Sequence, residues 1–501
     1  MDRRRGAGAR DPSSTPGAAL RVAVPEGHGY SPAPVAPAIY LETYGCQMNF
    51  ADTEMILGHV GDSGYVRTVD PTLADVILLN TCAIREHAEE RVIGRLTDLA
   101  RLKAARPGMV LGMAGCMAQH HRSAVTRRVP MLDFVVGPDA YRRLPALLDV
   151  IRSARTRTTD FRAAADDDPN STPAQRGARI ATDVRLDPSE DYADLRSART
   201  PGAVRAWVTV IRGCDKFCTF CVVPYVRGRE RSLPVDAVLR QVRAAVADGA
   251  SEVVFLGQTV NAYRDGACDF AELLQRAAAT PGLARLRFTS PHPADVTPAL
   301  IDVMRDVPVI APQLHLPVQS GSDAVLARMA RGYTVAAFRD LVARVRDTVP
   351  DVALSTDVIV GFPGETGADY DATYRLLEEL RFDQAYLYKY SPRSLTRAAT
   401  WEDSVPDAEK SRRLSAVIAL QERIAAERNR AWIGRSVEVL VEGPARRPAG
   451  HVAGKTPQYT TAVVNGDAAP GTIVRGTVIA ATGHTLIASA DAPAAALDLA
   501  G

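Results

Sequence analysis

Three features of this sequence predict an α/β chain with a separate all-β end. Short apolar runs alternate with helical patterns from residue 39 to residue 388, which marks parallel strands joined by crossover helices. Cysteines fall just past the ends of several of those runs. After about residue 432 the helical period gives way to β-branched segments separated by glycine turns. The predicted architecture is a small parallel α/β N-terminal domain (38–153), a partial (βα)6 barrel core (200–431) and a small C-terminal β-barrel (432–495). At 501 residues and 46 % hydrophobic content the chain can bury more than one core.

Residues 1–37 are rich in Arg, Ala, Gly and Pro and lack the apolar segment of a secretory signal. Asp2 and Asp11 argue against a transit peptide, so a disordered tail is expected. No apolar run approaches bilayer-spanning length, and a soluble, cytoplasmic protein without membrane contact is expected. The net charge of +2 gives no positive argument for nucleic acid. Of seven cysteines, six form two sets of three and Cys268 is left over. An odd count grouped this way suits metal ligation in a reducing compartment better than disulfides.

In the first domain, 39–43 predicts a strand running into Tyr44-Gly45-Cys46, and Met55, Ile56 and Val60 give the next helix an apolar face. The run at 76–79 is continuous, as a buried parallel strand requires, and ends at Asn80-Thr81-Cys82. A charged helix over 84–105 stops at Pro107-Gly108. A third strand, 109–114, ends at Gly115-Cys116; 134–136 is a fourth strand and 141–152 a closing helix. Cys46, Cys82 and Cys116 therefore each follow the C-terminal end of a strand. In open parallel sheets those ends share the edge where ligands bind, so thiols far apart in sequence would converge there. The competing reading is three ordinary core cysteines.

Residues 154–199 turn polar, around Asp166-Asp167-Asp168-Pro169, and predict a linker with no core of its own, partly ordered near Tyr192. Six strands then follow at 206–211, 253–256, 286–288, 313–316, 354–360 and 384–388, most of them separated by helical patterns. Six βα units are too few to close an eight-stranded barrel; they predict an open one whose working face lies at the strand C-termini. A long helix, 407–432, leads to strands at 436–441, 459–464 and 472–480. A small barrel of this kind either binds RNA or caps the core, and its balanced charges favour neither.

The most specific stretch is Arg212-Gly213-Cys214-Asp215-Lys216-Phe217-Cys218-Thr219-Phe220-Cys221. Three thiols at this spacing can hold three irons of a cubane cluster and leave the fourth open. Structural zinc would want four ligands, and no Cys or His lies close by to complete such a set. The pattern resembles that of radical S-adenosylmethionine (SAM) enzymes. In such a site the open iron chelates SAM, whose one-electron cleavage yields a radical able to take hydrogen from an unactivated carbon. Phe220 either packs on the adenine or belongs to a hydrophobic shell. Gln258 and Asn261 follow the second strand, and Gly361 ends the fifth, where polar groups and bare backbone would face the cofactor. Arg227, Arg229 and Arg231 meet phosphates or the SAM carboxylate, or form a solvated basic face. His292 and His315 read as packed or hydrogen-bonding residues, and Cys268 as incidental. No catalytic side chain is singled out.

Taken together, several segments resemble the radical SAM methylthiotransferase family. They are Leu41-Glu42-Thr43-Tyr44-Gly45-Cys46-Gln47-Met48-Asn49, Asn80-Thr81-Cys82-Ala83-Ile84-Arg85, the Cys214 loop through Gly228, His315-Leu316-Pro317-Val318-Gln319-Ser320-Gly321 and the Gly361 turn. The resemblance implies two 4Fe–4S clusters: an auxiliary one on Cys46, Cys82 and Cys116, and a SAM-binding one on Cys214, Cys218 and Cys221. It also implies a C-terminal RNA-binding TRAM domain and the use of two SAM, with a sulfur on the auxiliary cluster methylated and transferred. Asp215-Lys216-Phe217 and Ser290-Pro291-His292-Pro293 tilt it toward members that act on isopentenyl-adenosine at position 37 of tRNA. Sister members act on threonylcarbamoyl-adenosine in tRNA or on a ribosomal-protein aspartate. A monomer reduced by flavodoxin or ferredoxin is expected. Thr259, Ser394-Leu395-Thr396-Arg397 and the region around Lys455 depart from the family's usual pattern, and none is itself a cluster ligand. From other classes, a two-cluster electron carrier would cap every iron with protein ligands, and a zinc-bearing RNA-binding module would show zinc rather than iron and sulfide.

Overall fold

A computed structural model describes residues 36–83, 86–161 and 180–491. The expected tail, apart from its last two residues, and residues 162–179 of the expected linker lie outside the described residues.

The N-terminal domain runs β1 (Ala38–Thr43), α1 (Gln47–Asp62), β2 (Val66–Arg67), β3 (Val76–Thr81), α2 (Glu86–Ala105), β4 (Val110–Gly115), α3 (Cys116–Arg128), β5 (Phe134–Val136), α4 (Leu144–Phe161) and β6 (Ala181–Asp183). The sheet order is β2-β1-β3-β4-β5-β6, with every pairing parallel. Every residue of β3 and β4 is buried, which is why both read as continuous apolar runs rather than alternating ones. The order reverses at β1: the chain passes to β2 on one side and then to β3 on the other. That reversal sends α1 and α2 to opposite faces, where Met55, Ile56 and Val60 fill one core and Val92, Leu96 and Leu99 the other. A crevice opens at the carboxyl ends of β1 and β3.

The expectation of a linker over 154–199 does not hold for 180–199. β6 pairs with β5 in register Val135↔Thr182, and Tyr192 is buried in the α1-side core. The Tyr192 hydroxyl donates to the Pro138 carbonyl at 2.9 Å. Within 180–199 several of the polar residues are ion-pair partners: Arg142 pairs with Glu190 and Asp194, and Arg143 with Asp183. This stretch has no core of its own because it completes that of the domain.

The core strands are β7 (Arg205–Thr209), β8 (Glu252–Leu256), β9 (Arg285–Phe288), β10 (Gln313–His315), β11 (Ala353–Val360) and β12 (Gln384–Lys389). They form two parallel three-stranded sheets, β9-β8-β7 and β10-β11-β12, with a bridge Leu286↔Ile310 at the seam. The result is an open, partial barrel with one continuous apolar core from Ala206 to Ile424. A short helix, α5 (Val223–Arg227), follows the cysteine loop, and a long one, α6 (Asp407–Arg430), closes the domain.

Five strands, β13 (Ser436–Pro444), β14 (His451–Lys455), β15 (Thr461–Asn465), β16 (Ile473–Ala481) and β17 (Thr485–Ala490), close into a barrel ordered β13-β14-β15-β17-β16. The barrel docks at the amino ends of the core strands. Arg285 donates to the Lys455 carbonyl at 2.8 Å, and Arg287 to the carbonyls of Thr456 and Pro457 at 2.8 and 2.7 Å. Buried Glu252, the first residue of β8, gathers Arg205 and Arg287 behind these contacts. Barrel and cysteine loop therefore occupy opposite ends of strands roughly 17 Å long. No helix among the described residues is long and apolar enough to cross a membrane.

Candidate metal centres

Cys46, Cys82 and Cys116 meet in the crevice at the strand ends. Cys46 caps α1, and Asn49 Oδ1 lies 3.4 Å from both its amide nitrogen and its Sγ. Asn49 and Asn80, both fully buried, lock the start of α1 to the end of β3. Asn49 Nδ2 donates to Asn80 Oδ1 and to the Thr81 carbonyl at 3.2 and 3.1 Å, and Asn80 Nδ2 returns a bond to the Asn49 carbonyl at 2.8 Å. Gly115 takes φ +94°, and a Cβ there would strike the Thr81 carbonyl, so only glycine lets α3 begin so close to β3. A hydrogen bond from Cys82 draws the Cys46 thiol down, whereas burial pushes Cys116 up against the pull of Arg227.

Arg227 is the link to the second domain. Its Nε lies 3.1 Å from Cys116 Sγ, and its Nη2 lies 2.9 Å from Asp52 Oδ2. Asp52 Oδ1 takes a second guanidinium, Arg212 Nη2, at 2.8 Å, and all three side chains are buried. Apolar contacts among Ala83, Cys116, Val222 and Val226 surround this joint, and Met48 and Ala51 of α1 pack on Val254 and Leu256 of β8. The basic triplet is thus not one face. Arg227 is interior, Arg231 pairs with buried Asp139 at 2.9 Å, and exposed Arg229 pairs with Asp215 at 2.5 Å.

The second set sits at the mouth of the partial barrel. Gly213, at φ +77°, carries the chain beneath the Arg229 carbonyl, which a Cβ would overlap. Its amide donates to Gln258 Oε1 at 2.6 Å. Cys214 Sγ lies 3.0 Å from Thr259 Oγ1 and accepts the Lys216 amide at 3.3 Å, and Cys218 Sγ accepts Arg331 Nη1 at 3.3 Å. The Cys221 amide donates to the Cys218 carbonyl at 3.0 Å, closing the loop. Burial raises Cys214 and pushes Cys221 up to about 12. Bound iron would ionise such thiols outright. Within each set the thiols lie close enough to act on one another electrostatically, and donors reach Cys116, Cys214 and Cys218, as anionic ligand sulfurs require. Each arrangement fits a cubane with one open iron.

The other expected site residues have structural partners. Gln258 holds the Gly213 turn. Asn261 exchanges two hydrogen bonds with the His292 backbone, at 3.0 and 2.8 Å, and so fixes the Ser290–Pro293 segment. Phe220 packs edge-on to Phe362, with ring centroids 6.3 Å apart, in a cluster with Tyr390 and Trp401. The Gly361 amide donates to Glu365 Oε1 at 2.8 Å, and Glu365 is held in turn by Arg413 of α6. Burial, with Arg331 and Lys216 nearby, pulls His292 down to about 3, leaving a neutral imidazole. His315 bonds Ser355 and Asp357, and Cys268 is buried in the main core. Sequence reasoning gave no role to Asn49 and Asn80, although both lie in segments quoted above, and missed Asp52 and Arg331, which carry no local motif. It noted Thr259 only as a departure, although that hydroxyl touches Cys214.

Three family descriptions match the chain in succession: Uncharacterized protein family UPF0004 over residues 38–137, Radical SAM superfamily over 208–377 and TRAM domain over 430–490. The tRNA-2-methylthio-N(6)-dimethylallyladenosine synthase of Anaeromyxobacter dehalogenans is 42 % identical over 452 residues, covering 88 % of this chain and 91 % of that one. The protein of the same name from Acidothermus cellulolyticus is 41 % identical over 465 residues, covering 91 % and 89 %. The chain belongs to the radical SAM methylthiotransferase family. Among solved structures, the radical SAM methyltransferase TsrM from Kitasatospora setae, with cobalamin and a [4Fe-4S] cluster bound, superposes with TM-score 0.52 at 13 % identity. It covers 73 % of this chain and 77 % of that one, a likeness of fold. As a methylthiotransferase the chain is an enzyme whose cofactors are 4Fe–4S clusters and SAM.

Proposed function

We propose that this enzyme replaces the hydrogen at C2 of N6-isopentenyl-adenosine, at position 37 of tRNA, with a methylthio group. The carrying observation is the joint at Arg227, which reaches Cys116 of one three-thiol set from a point six residues beyond Cys221 of the other. Six residues span at most about 20 Å, so the two sets serve one reaction space. The relatives' names supply the substrate, and the TRAM match supports RNA contact.

In this reading Cys46, Cys82 and Cys116 hold the auxiliary cluster, and Cys214, Cys218 and Cys221 hold the SAM-binding one. When bound, these groups supply reductive SAM cleavage and a methylated sulfur for transfer. The protein's part is placement. Gln258 and Thr259 fix the Cys214 turn, and Arg331 and Arg227 offset the charge of ligand sulfurs. Phe220, Asn261 and Gly361 line the SAM cavity through the segments they hold. The buried joint keeps the two sets from moving apart. The enzyme works as a cytoplasmic monomer and takes electrons from a carrier such as flavodoxin or ferredoxin.

Anaerobically reconstituted enzyme, SAM and reductant, incubated with tRNA bearing isopentenyl-adenosine or threonylcarbamoyl-adenosine, should yield the 2-methylthio nucleoside only from the first. Nucleoside mass spectrometry reads both. Conversion of the second alone would reassign the substrate, and deoxyadenosine release with neither product would point to a protein acceptor.

A further inference from the structure

Besides the two thiol sets, α2 and α3 carry Glu89, His120 and His121. These offer one carboxylate oxygen and two imidazole nitrogens within 4.8 Å of one another. His121 Nε2 stands 3.4 Å from Glu89 Oε1. His120 Nε2 is occupied by the segment after β12, lying 3.0 Å from the Ser394 carbonyl and 2.8 Å from Ser394 Oγ. The carbonyl can only accept, so the proton sits on Nε2 and Nδ1 is left with a bare lone pair. Nδ1 is buried and has no hydrogen-bond partner among the described residues; the same holds for Glu89 Oε1.

Consecutive residues of a regular helix point about 100° apart. α3 departs from helical geometry at His121, with φ −118° and ψ 21°, and the two rings come to a centroid distance of 3.8 Å. The group whose ligand atoms come within 4.8 Å of one another thus contains two buried acceptors without a partner among the described residues, His120 Nδ1 and Glu89 Oε1. Arg393 Nη1 approaches Glu89 Oε1 only to 3.9 Å, beyond hydrogen-bond distance.

We propose that Glu89, His120 and His121 bind a divalent transition ion of the zinc class, separate from the two iron–sulfur sites. Two imidazoles and a carboxylate without thiolate suit Zn2+, Fe2+ or Co2+, not Cu+ and not the oxygen-seeking Mg2+ or Ca2+. The Nε2–H···O=C bond to Ser394 is the outer-shell contact that orients a metal-bound histidine. Ser394 lies in the stretch where this chain departs from its family's pattern. The ion would tie α2, α3 and that stretch of the core together one helical turn beyond Cys116. Three protein ligands leave a position for water.

The test uses the full-length enzyme with both clusters reconstituted anaerobically, titrated with Co2+ and then Zn2+. One Co2+ should bind with the ligand-field bands of nitrogen and oxygen coordination and no thiolate charge-transfer band, and Zn2+ should displace it. His120→Ala and Glu89→Gln should each weaken binding at least about 100-fold, more than typical outer-shell changes do, with iron and sulfide content unchanged. Should His120→Ala fail to hold its clusters, Glu89→Gln, which keeps the side-chain volume, decides. The proposal is overturned if the enzyme binds no Co2+, if the bound ion shows thiolate charge transfer, or if Glu89→Gln binds as the parent does.

Discussion

Asp52→Asn should cost the folded protein about 3–5 kcal/mol and release the auxiliary iron along with it. Asp52 is fully buried, and its two oxygens meet two guanidiniums that are themselves only 4 % exposed. Asparagine keeps the shape and removes the charge, leaving Arg212 and Arg227 with no anion inside a low-dielectric joint. The loss also reaches Cys116, because Asp52 holds Arg227 in the orientation that directs its Nε at the sulfur. Denaturant unfolding and iron and sulfide analysis read the two effects. Replacing the whole triad, with Asp52→Leu, Arg212→Met and Arg227→Met together, should recover much of the stability but not the auxiliary iron. Asp52→Asn within about 0.5 kcal/mol of the parent would mean that the joint is solvated, contrary to the burial described above.

Glu252→Gln should loosen the C-terminal barrel. Glu252 is fully buried between Arg205 and Arg287, and those arginines with Arg285 anchor the barrel's Lys455–Pro457 turn and Glu442. Burial alone would raise its carboxyl, but Arg287 and Arg205 outweigh it and hold the group below the usual carboxylate range. A depressed carboxylate contributes stability that is complete above the unfolded pKa and is lost as pH falls through the folded one. The parent should therefore hold its barrel at neutral pH and loosen it only below about pH 4.5. The glutamine variant should be weaker by about 2–5 kcal/mol at pH 7 and should lack that acid transition. Proteolysis of the segment between α6 and β13, followed from pH 7 downward through the acid range, separates the two. Equal cleavage of parent and variant at pH 7 would remove Glu252 from the docking account.

The sequence announced the strands most plainly where every residue is buried, as in β3, β4 and β8, because burial on both faces demands a near-continuous apolar run. It announced the thiols because each set ends a strand or fills one loop. Short elements escaped notice for physical reasons. β2 is two exposed residues, β6 lies in a stretch dominated by ion-pair partners, and β14 holds Gly454 and a single buried valine. Arg227 read as surface because three alternating arginines look solvated. Nothing local distinguishes the one whose counter-charge, Asp52, lies 175 residues away. The roles of Asn49 and Asn80 escaped for the same reason: they make a contact between chain segments, which periodicity cannot express.

The central claim is that two three-thiol sites divide one reaction between them. Its most direct test compares Cys214→Ala with the combined Cys46→Ala, Cys82→Ala and Cys116→Ala variant on isopentenyl-adenosine tRNA, following deoxyadenosine and nucleoside products together. Cys214→Ala should release no deoxyadenosine and form no methylthio product. The triple variant should keep about half of the iron, since one of two four-iron clusters remains, and still cleave SAM without forming product. Methylthio-adenosine made by the triple variant would contradict the account, because the sulfur would then need no site at Cys46, Cys82 and Cys116.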